Sequence, residues 1–114
     1  MRQWRIVTRV VFVETRAFTA RARALLSDED YRLLQAALLA RPETGTLVPG
    51  GGGLRKMRWG AEGRGKRSGL RLLYYWHPAS ERILFLFLFS KNERPDLTPR
   101  QLAALRKVIE TEYP

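Results

Sequence analysis

Between Leu54 and Tyr75 the chain reads LRKMRWGAEGRGKRSGLRLLYY, with Arg55, Lys56, Arg58, Arg64, Lys66, Arg67 and Arg71 set against a single acid, Glu62. Two short runs of strand character flank a glycine-rich loop. Side chains alternate across a strand, so residues two apart share a face. Lys56 and Arg58 therefore project to one side of Leu54–Gly60, with Arg55, Met57 and Trp59 on the other. In Gly69–His77, Arg71 shares its face with Leu73 and Tyr75, opposite Leu70, Leu72, Tyr74 and Trp76. Paired as a hairpin, the two strands bring Lys56, Arg58 and Arg71 onto one surface with the basic loop at its rim. Guanidinium and ammonium groups so arranged suit polyphosphate, and nucleic acid is the ligand class that fits first.

Composition bounds the rest. The 114 residues make one domain with one core, residues 1–4 reading as an extension, and a formal net charge of +10 calls for an anionic partner. There is no cysteine, which rules out disulfides and thiolate metal sites and fits a reducing cytoplasm. The longest apolar run, Ile83–Phe89, is far short of the roughly 18 residues of a membrane span and reads as a buried strand. The N-terminal MRQWRIVTRVVFVE lacks the apolar core and small-residue cleavage site of a signal peptide. No membrane association is expected.

The elements that must position the cations follow in order. Arg5–Glu14, rich in Val, Ile and Phe, predicts a first strand. Thr15–Leu26 predicts a helix with Arg16, Arg21 and Arg23 on a solvated face. Ser27 caps a second helix with acids in its first turn and Tyr31, Leu34 and Leu38 at helical spacing, stopped by Pro42. Pro42–Gly53, ending in four glycines, predicts a flexible loop without structure of its own. After the two basic strands, His77–Glu81 is a turn. Arg82–Ser90 is a strand with Ile83, Phe85, Phe87 and Phe89 on one face and Leu84, Leu86 and Leu88 on the other, which belongs inside a covered sheet. Thr98, Pro99 and Gln101 start a last helix as N-cap, first residue and capping-box partner, and Leu102, Leu105 and Ile109 give it one apolar stripe. The predicted order is β-α-α-β-β-β-α, a small α+β domain whose antiparallel sheet packs helices on one face and leaves part of the other open.

Other candidates have plainer readings. Gly60–Lys66 nearly spells a nucleotide-binding P-loop, but Arg67 stands where that motif needs Ser or Thr, and a strand rather than a helix follows. His77 is the only histidine; alone at a strand end it suits a structural role and makes no metal site, so neither metal nor cofactor is expected. Trp59, Tyr74 and Trp76 are core by alternation, whereas Tyr75, on the Arg71 face, is the aromatic placed to touch a ligand. Lys91-Asn92-Glu93 lies where the buried strand runs out into a loop, a position that fixes and exposes side chains at once, although a solvated turn would read the same.

Taken together, GLRKMRW, GRGKRSGLRLLYY, the apolar strand and SKNE resemble the RelE superfamily of bacterial toxins, and within it the HigB-type toxins of type II toxin–antitoxin modules. The likeness runs from about Val11 to Ile109 and includes SDEDYRLLQAALLARPETG and DLTPRQL. It departs at Ser68, where the branch carries Gly. The tyrosine that the best-known RelE toxins place after the last strand has no counterpart, Thr98 lying near that position, and Asn92 beside Lys91 stands where they carry an arginine.

The resemblance implies ribosome-dependent cleavage of mRNA by attack of a ribose 2′-OH on the adjacent phosphate, chemistry that needs a base, an acid and cations rather than a metal. It makes Lys56, Arg58, Arg71 and Lys91 the catalytic face, with Arg71 on the scissile phosphate, Arg58 stabilising the transition state and Lys56 or Lys91 as base. Arg55, Arg64, Lys66, Arg67, Tyr75 and Asn92 would contact RNA. It also implies a neutralising helix-turn-helix antitoxin of HigA type, through which alone the protein would meet operator DNA. The basic hairpin alone would equally serve a non-catalytic module that binds RNA or ribosomes, and a degraded, inactive toxin homologue is a further alternative. A gyrase-poisoning toxin of ParE type would generally lack the Lys56, Arg58 and Arg71 set.

Overall fold

The computed structural model describes residues 9–60, 69–93 and 96–114. Strand β1 (Val11–Glu14) leads into helices α1 (Arg16–Leu25) and α2 (Asp28–Ala40); β2 (Thr46–Leu47), β3 (Arg55–Trp59), β4 (Leu70–His77), β5 (Arg82–Ser90) and α3 (Pro99–Glu112) follow. The strands form one sheet in the order β1-β5-β4-β3-β2, with β1 parallel to β5 and every other pair antiparallel. The α+β class and the order of the main elements are as expected, with the two-residue β2 in addition.

The helices begin where side chains satisfy their orphan N–H groups. Thr15 Oγ1 accepts from Phe18 N–H at 3.1 Å to start α1, and capping boxes formed by Ser27 with Asp30 and by Thr98 with Gln101 start α2 and α3.

The central strand β4 is buried on both faces. On one, Leu70, Leu72 and Tyr74 pack with Phe18 and Ala22 of α1, Leu34 and Leu38 of α2, and Ile83, Phe85 and Leu88 of β5; Trp59 and Trp76 lie partly buried against this cluster. On the other, Leu73 packs with Leu54, Leu84, Leu86, Phe89 and Ile109 of α3, flanked by Leu102 and Leu105. The expectation that the helices share one face is therefore corrected. A strand as apolar on both sides as β5 needs cover on both, and α3 supplies the second layer.

A bulge corrects the expected faces of β5. Leu73 pairs with Phe87 but Tyr74 pairs with Phe85, so Leu86 is extra in the register. Leu86 and Phe87 consequently both lie on the α3 side, and Phe87 and Phe89 part company with Ile83 and Phe85. Strand β1 pairs only with Arg82–Phe85, and α1 closes the edge beyond it. Thr15 Oγ1 donates to Leu86 O at 2.8 Å and Arg21 Nε to Leu88 O at 3.1 Å. Arg21 is thus a structural tie rather than part of a solvated face.

The segment 42–53, expected to be a structureless loop, is ordered by β4. The Tyr74 hydroxyl donates to Pro42 O at 2.7 Å and accepts from Gly45 N–H at 2.8 Å, and β2 pairs with β3. The glycine run forms a seat. Gly53 holds φ +103°, and a Cβ there would stand 2.6 Å from the Tyr75 ring. Gly50 O accepts from Arg106 Nη1 on α3 at 3.5 Å. Burial also pushes the Tyr74 hydroxyl above its ordinary value of 10.0. Tyr74→Phe leaves the buried Gly45 N–H without its acceptor, so it should cost about 1–3 kcal/mol. Urea denaturation should show a lower midpoint at unchanged slope.

Candidate functional site

The register of β3 on β4 decides the geometry of the cations. Arg58 stands directly opposite Arg71, and Lys56 opposite Leu73, so Lys56, Arg58 and Arg71 share the sheet face that α3 covers further along. Leu70 pairs with Ser90, which places exposed Lys91, one residue on, at the same end of the sheet. Arg58 is exposed, whereas Lys56 and Arg71 are half-buried. Two arginines directly opposite each other repel and lower stability. Arg71 also has its Nη1 buried with no hydrogen-bond partner among the described residues, a state that costs about 1–3 kcal/mol unless an acceptor reaches it. Both costs fall on this one face, where an anion would relieve them.

Lys56 has a partner. Its Nζ donates to Asp96 Oδ2 at 3.0 Å, while Asp96 Oδ1 accepts from the Leu97 N–H at 2.8 Å. The Leu97 N–H first, then the Lys56 hydrogen bond and the charges of Lys56 and Arg71, hold the Asp96 carboxyl below its ordinary value. The pair forms the polar end of a cleft of about 300 Å³ between β2 and the start of α3, walled by Val48, Pro49 and Leu102. Nothing in the charged loop singled Asp96 out beforehand, since its partner lies 40 residues away.

The other expected RNA contacts are dispersed. Arg55 projects to the opposite face, where Nη1 donates to Gly45 O at 2.8 Å and Nη2 faces Glu43 at 3.8 Å. Tyr75 packs against Gly53 and, at 5.4 Å between ring centroids, Tyr113. Asn92 is exposed in the turn after β5, its N–H donating to Ser90 Oγ at 3.2 Å. Arg64, Lys66 and Arg67 lie outside the described residues. Glu93 accepts from Ser90 N–H at 2.9 Å and forms an ion pair with Arg21, fixing the turn that carries Lys91 and Asn92 to α1. Thr98 is occupied as the α3 cap. His77 caps the turn before β5, accepting from Ser80 N–H at 3.3 Å, and stacks on Tyr113 at 4.5 Å.

Residues 9–112 match the family model described as the RelE toxin of the RelE/RelB toxin–antitoxin system. The chain belongs to the RelE toxin family. A solved structure of the E. coli toxin RelE, a double arginine-to-alanine mutant in the free state, aligns with a TM-score of 0.56 at 12% identity, covering 87% of this chain and 95% of that one. At that identity the likeness bears on the fold alone. This RelE-family toxin is the toxin half of a type II module, and its family implies a cognate antitoxin. Among the described residues no group of His, Asp and Glu is placed to hold a metal ion, and no helix is long and apolar enough to cross a membrane.

The sign of the Asp96 effect on stability follows from its direction. A carboxyl held low in the folded toxin stabilises it fully above the unfolded value, near 3.8, and that contribution disappears as pH falls through the lower folded value. Thermal melts of Asp96→Asn against wild type should therefore differ at neutral pH and converge in acid.

Proposed function

We propose that this RelE-family toxin is a HigB-type mRNA interferase, cleaving mRNA on the translating ribosome without a metal. The observation that carries the reading is the Arg58–Arg71 pair on one face with Lys56, Arg71 keeping a buried Nη1 without a protein acceptor among the described residues. Arg71 takes the scissile phosphate through its planar fork of donors. The ribose 2′-OH then attacks that phosphorus in line, closing a 2′,3′-cyclic phosphate and expelling the 5′-oxygen of the next nucleotide. Arg58 stabilises the charge that grows on the phosphorane oxygens. Lys56 and Lys91 serve the two proton transfers, one receiving the 2′-OH proton and the other supplying the leaving oxygen. Partly buried cations over an apolar floor of Leu73 and Phe89 act in a lower dielectric than water provides, which strengthens each contact. Arg64, Lys66 and Arg67 grip ribosomal RNA or the mRNA backbone by charge alone. The antitoxin is a helix-turn-helix protein of HigA type that carries the complex to its operator, and the site of action is the cytoplasm.

The test is a primer-extension map of mRNA in a translating cell-free system, with wild type, Arg71→Ala and a reaction lacking ribosomes. Wild type should cut within coding sequence only where ribosomes are present. Arg71→Ala, with its circular dichroism and melting unchanged or improved, should cut about 10² more slowly, the size of a lost electrostatic stabiliser. Binding to RNA or ribosomes that weakens with salt, without any cuts, would make the protein a basic binding module instead.

A further inference from the structure

The Lys56–Asp96 contact joins one cation of the proposed RNA face to a carboxylate of the same chain, and it is built from both sides. Lys56 is placed by its pairing with Leu73 and Thr46. Asp96 is placed by its own bond to Leu97 N–H at 2.8 Å and by the capping box that begins α3 two residues later. The two charged groups meet at 3.0 Å with 34% and 56% of their side chains exposed, so solvent and other anions can reach the contact. An exposed pair of this kind is worth little, which makes it exchangeable. A carboxylate and a phosphate offer an ammonium the same kind of acceptor, an anionic oxygen. Resting on the RNA reading above, we infer that Asp96 is a built-in competitor for the RNA phosphate: in the free toxin its carboxylate occupies Lys56, and RNA engages that lysine only by displacing it. The low-lying carboxyl of Asp96, held first by Leu97 N–H and then by Lys56, also responds to the charge of Arg71. Lys56 and Arg71 are therefore both within electrostatic reach of one internal anion.

The salt dependence of binding distinguishes competition from a merely structural ion pair. A lysine already neutralised by a neighbouring carboxylate adds little to counterion release, whereas a freed lysine adds one full phosphate contact. The probe is a 2′-O-methyl oligoribonucleotide, which binds but offers no 2′-OH nucleophile, titrated without ribosomes from low to moderate salt. Asp96→Asn should bind about threefold more tightly at low salt, the scale of one exposed pair. The slope of log K against log salt should steepen by about 0.7. Glu110→Gln, which removes the same charge from the Arg106 pair on α3, should leave the slope unchanged. Equal effects of the two substitutions would reduce Asp96 to bulk charge and overturn the inference; so would weaker or unaltered binding by Asp96→Asn, or no binding by any of the three proteins. The nuclease reading is separable. A toxin that shows the Asp96 signature yet never cuts mRNA keeps this inference and loses that reading, and one that cuts without the signature does the reverse.

Discussion

Strand β4 cannot shift by one residue, and most of the molecule follows from that. Its alternation sends Leu70, Leu72 and Tyr74 into the α1–α2 core and Leu73 into the α3 core, all of them buried. A one-residue slip would exchange the faces and drive the Arg71 guanidinium among Phe18, Leu34 and Leu38, where a charge is not tolerated unpaired. Apolar burial on two sides thus fixes where Arg71 emerges, and the pairing of β3 then fixes Arg58 and Lys56 beside it. The cationic face is positioned by hydrophobic forces and assembled against electrostatic ones.

The far side of β4 completes the arrangement. Without the extra Leu86 in the register, strict alternation would carry Phe87 and Phe89 to the α1 side. With it, Phe89 stands opposite Arg71 and Phe87 opposite Leu73, so the cations rest on an aromatic and aliphatic floor. The same irregularity falls where β1 ends and α1 takes over the edge. There the Thr15 and Arg21 side chains satisfy carbonyls that a neighbouring strand would otherwise have paired. Arg21 reaches on to Glu93, linking the closed edge to the turn that displays Lys91. Core, edge and site are therefore coupled through a few residues of β5.

What could be read from the sequence was local or periodic. Period two placed Lys56, Arg58 and Arg71 on one face, and the Thr98–Pro99–Gln101 spacing placed the start of α3, because both signals span a few residues and are decided by backbone geometry. What could not be read depends on partners distant in sequence. The bulge at Leu86 leaves no mark in an uninterrupted apolar run. The glycines of 50–53 look like slack chain until the Tyr75 ring and the Arg106 side chain are seen to need the space. Arg21 and Arg55 looked like members of the basic surplus, yet each serves backbone carbonyls brought near by the fold. Net charge counts such residues but does not say which are already committed.

That commitment gives the cationic surplus its meaning. Arg21 and Arg55 spend their donors on carbonyls and acids of the scaffold, and Arg106 pairs with Glu110 and the glycine seat. Among the described residues Arg58 and Arg71 face each other without such a settlement, and a buried Nη1 of Arg71 lacks an acceptor. Relieving the repulsion with an acid beside Arg71 would raise stability, but it would also fill the position an RNA phosphate is proposed to take. The fold places its nearby carboxylate, Asp96, on Lys56 instead, at an exposed contact that is weak enough to exchange. The stability forgone at Arg71 and the exchangeable charge at Lys56 are what a surface must retain if a phosphodiester is to complete it.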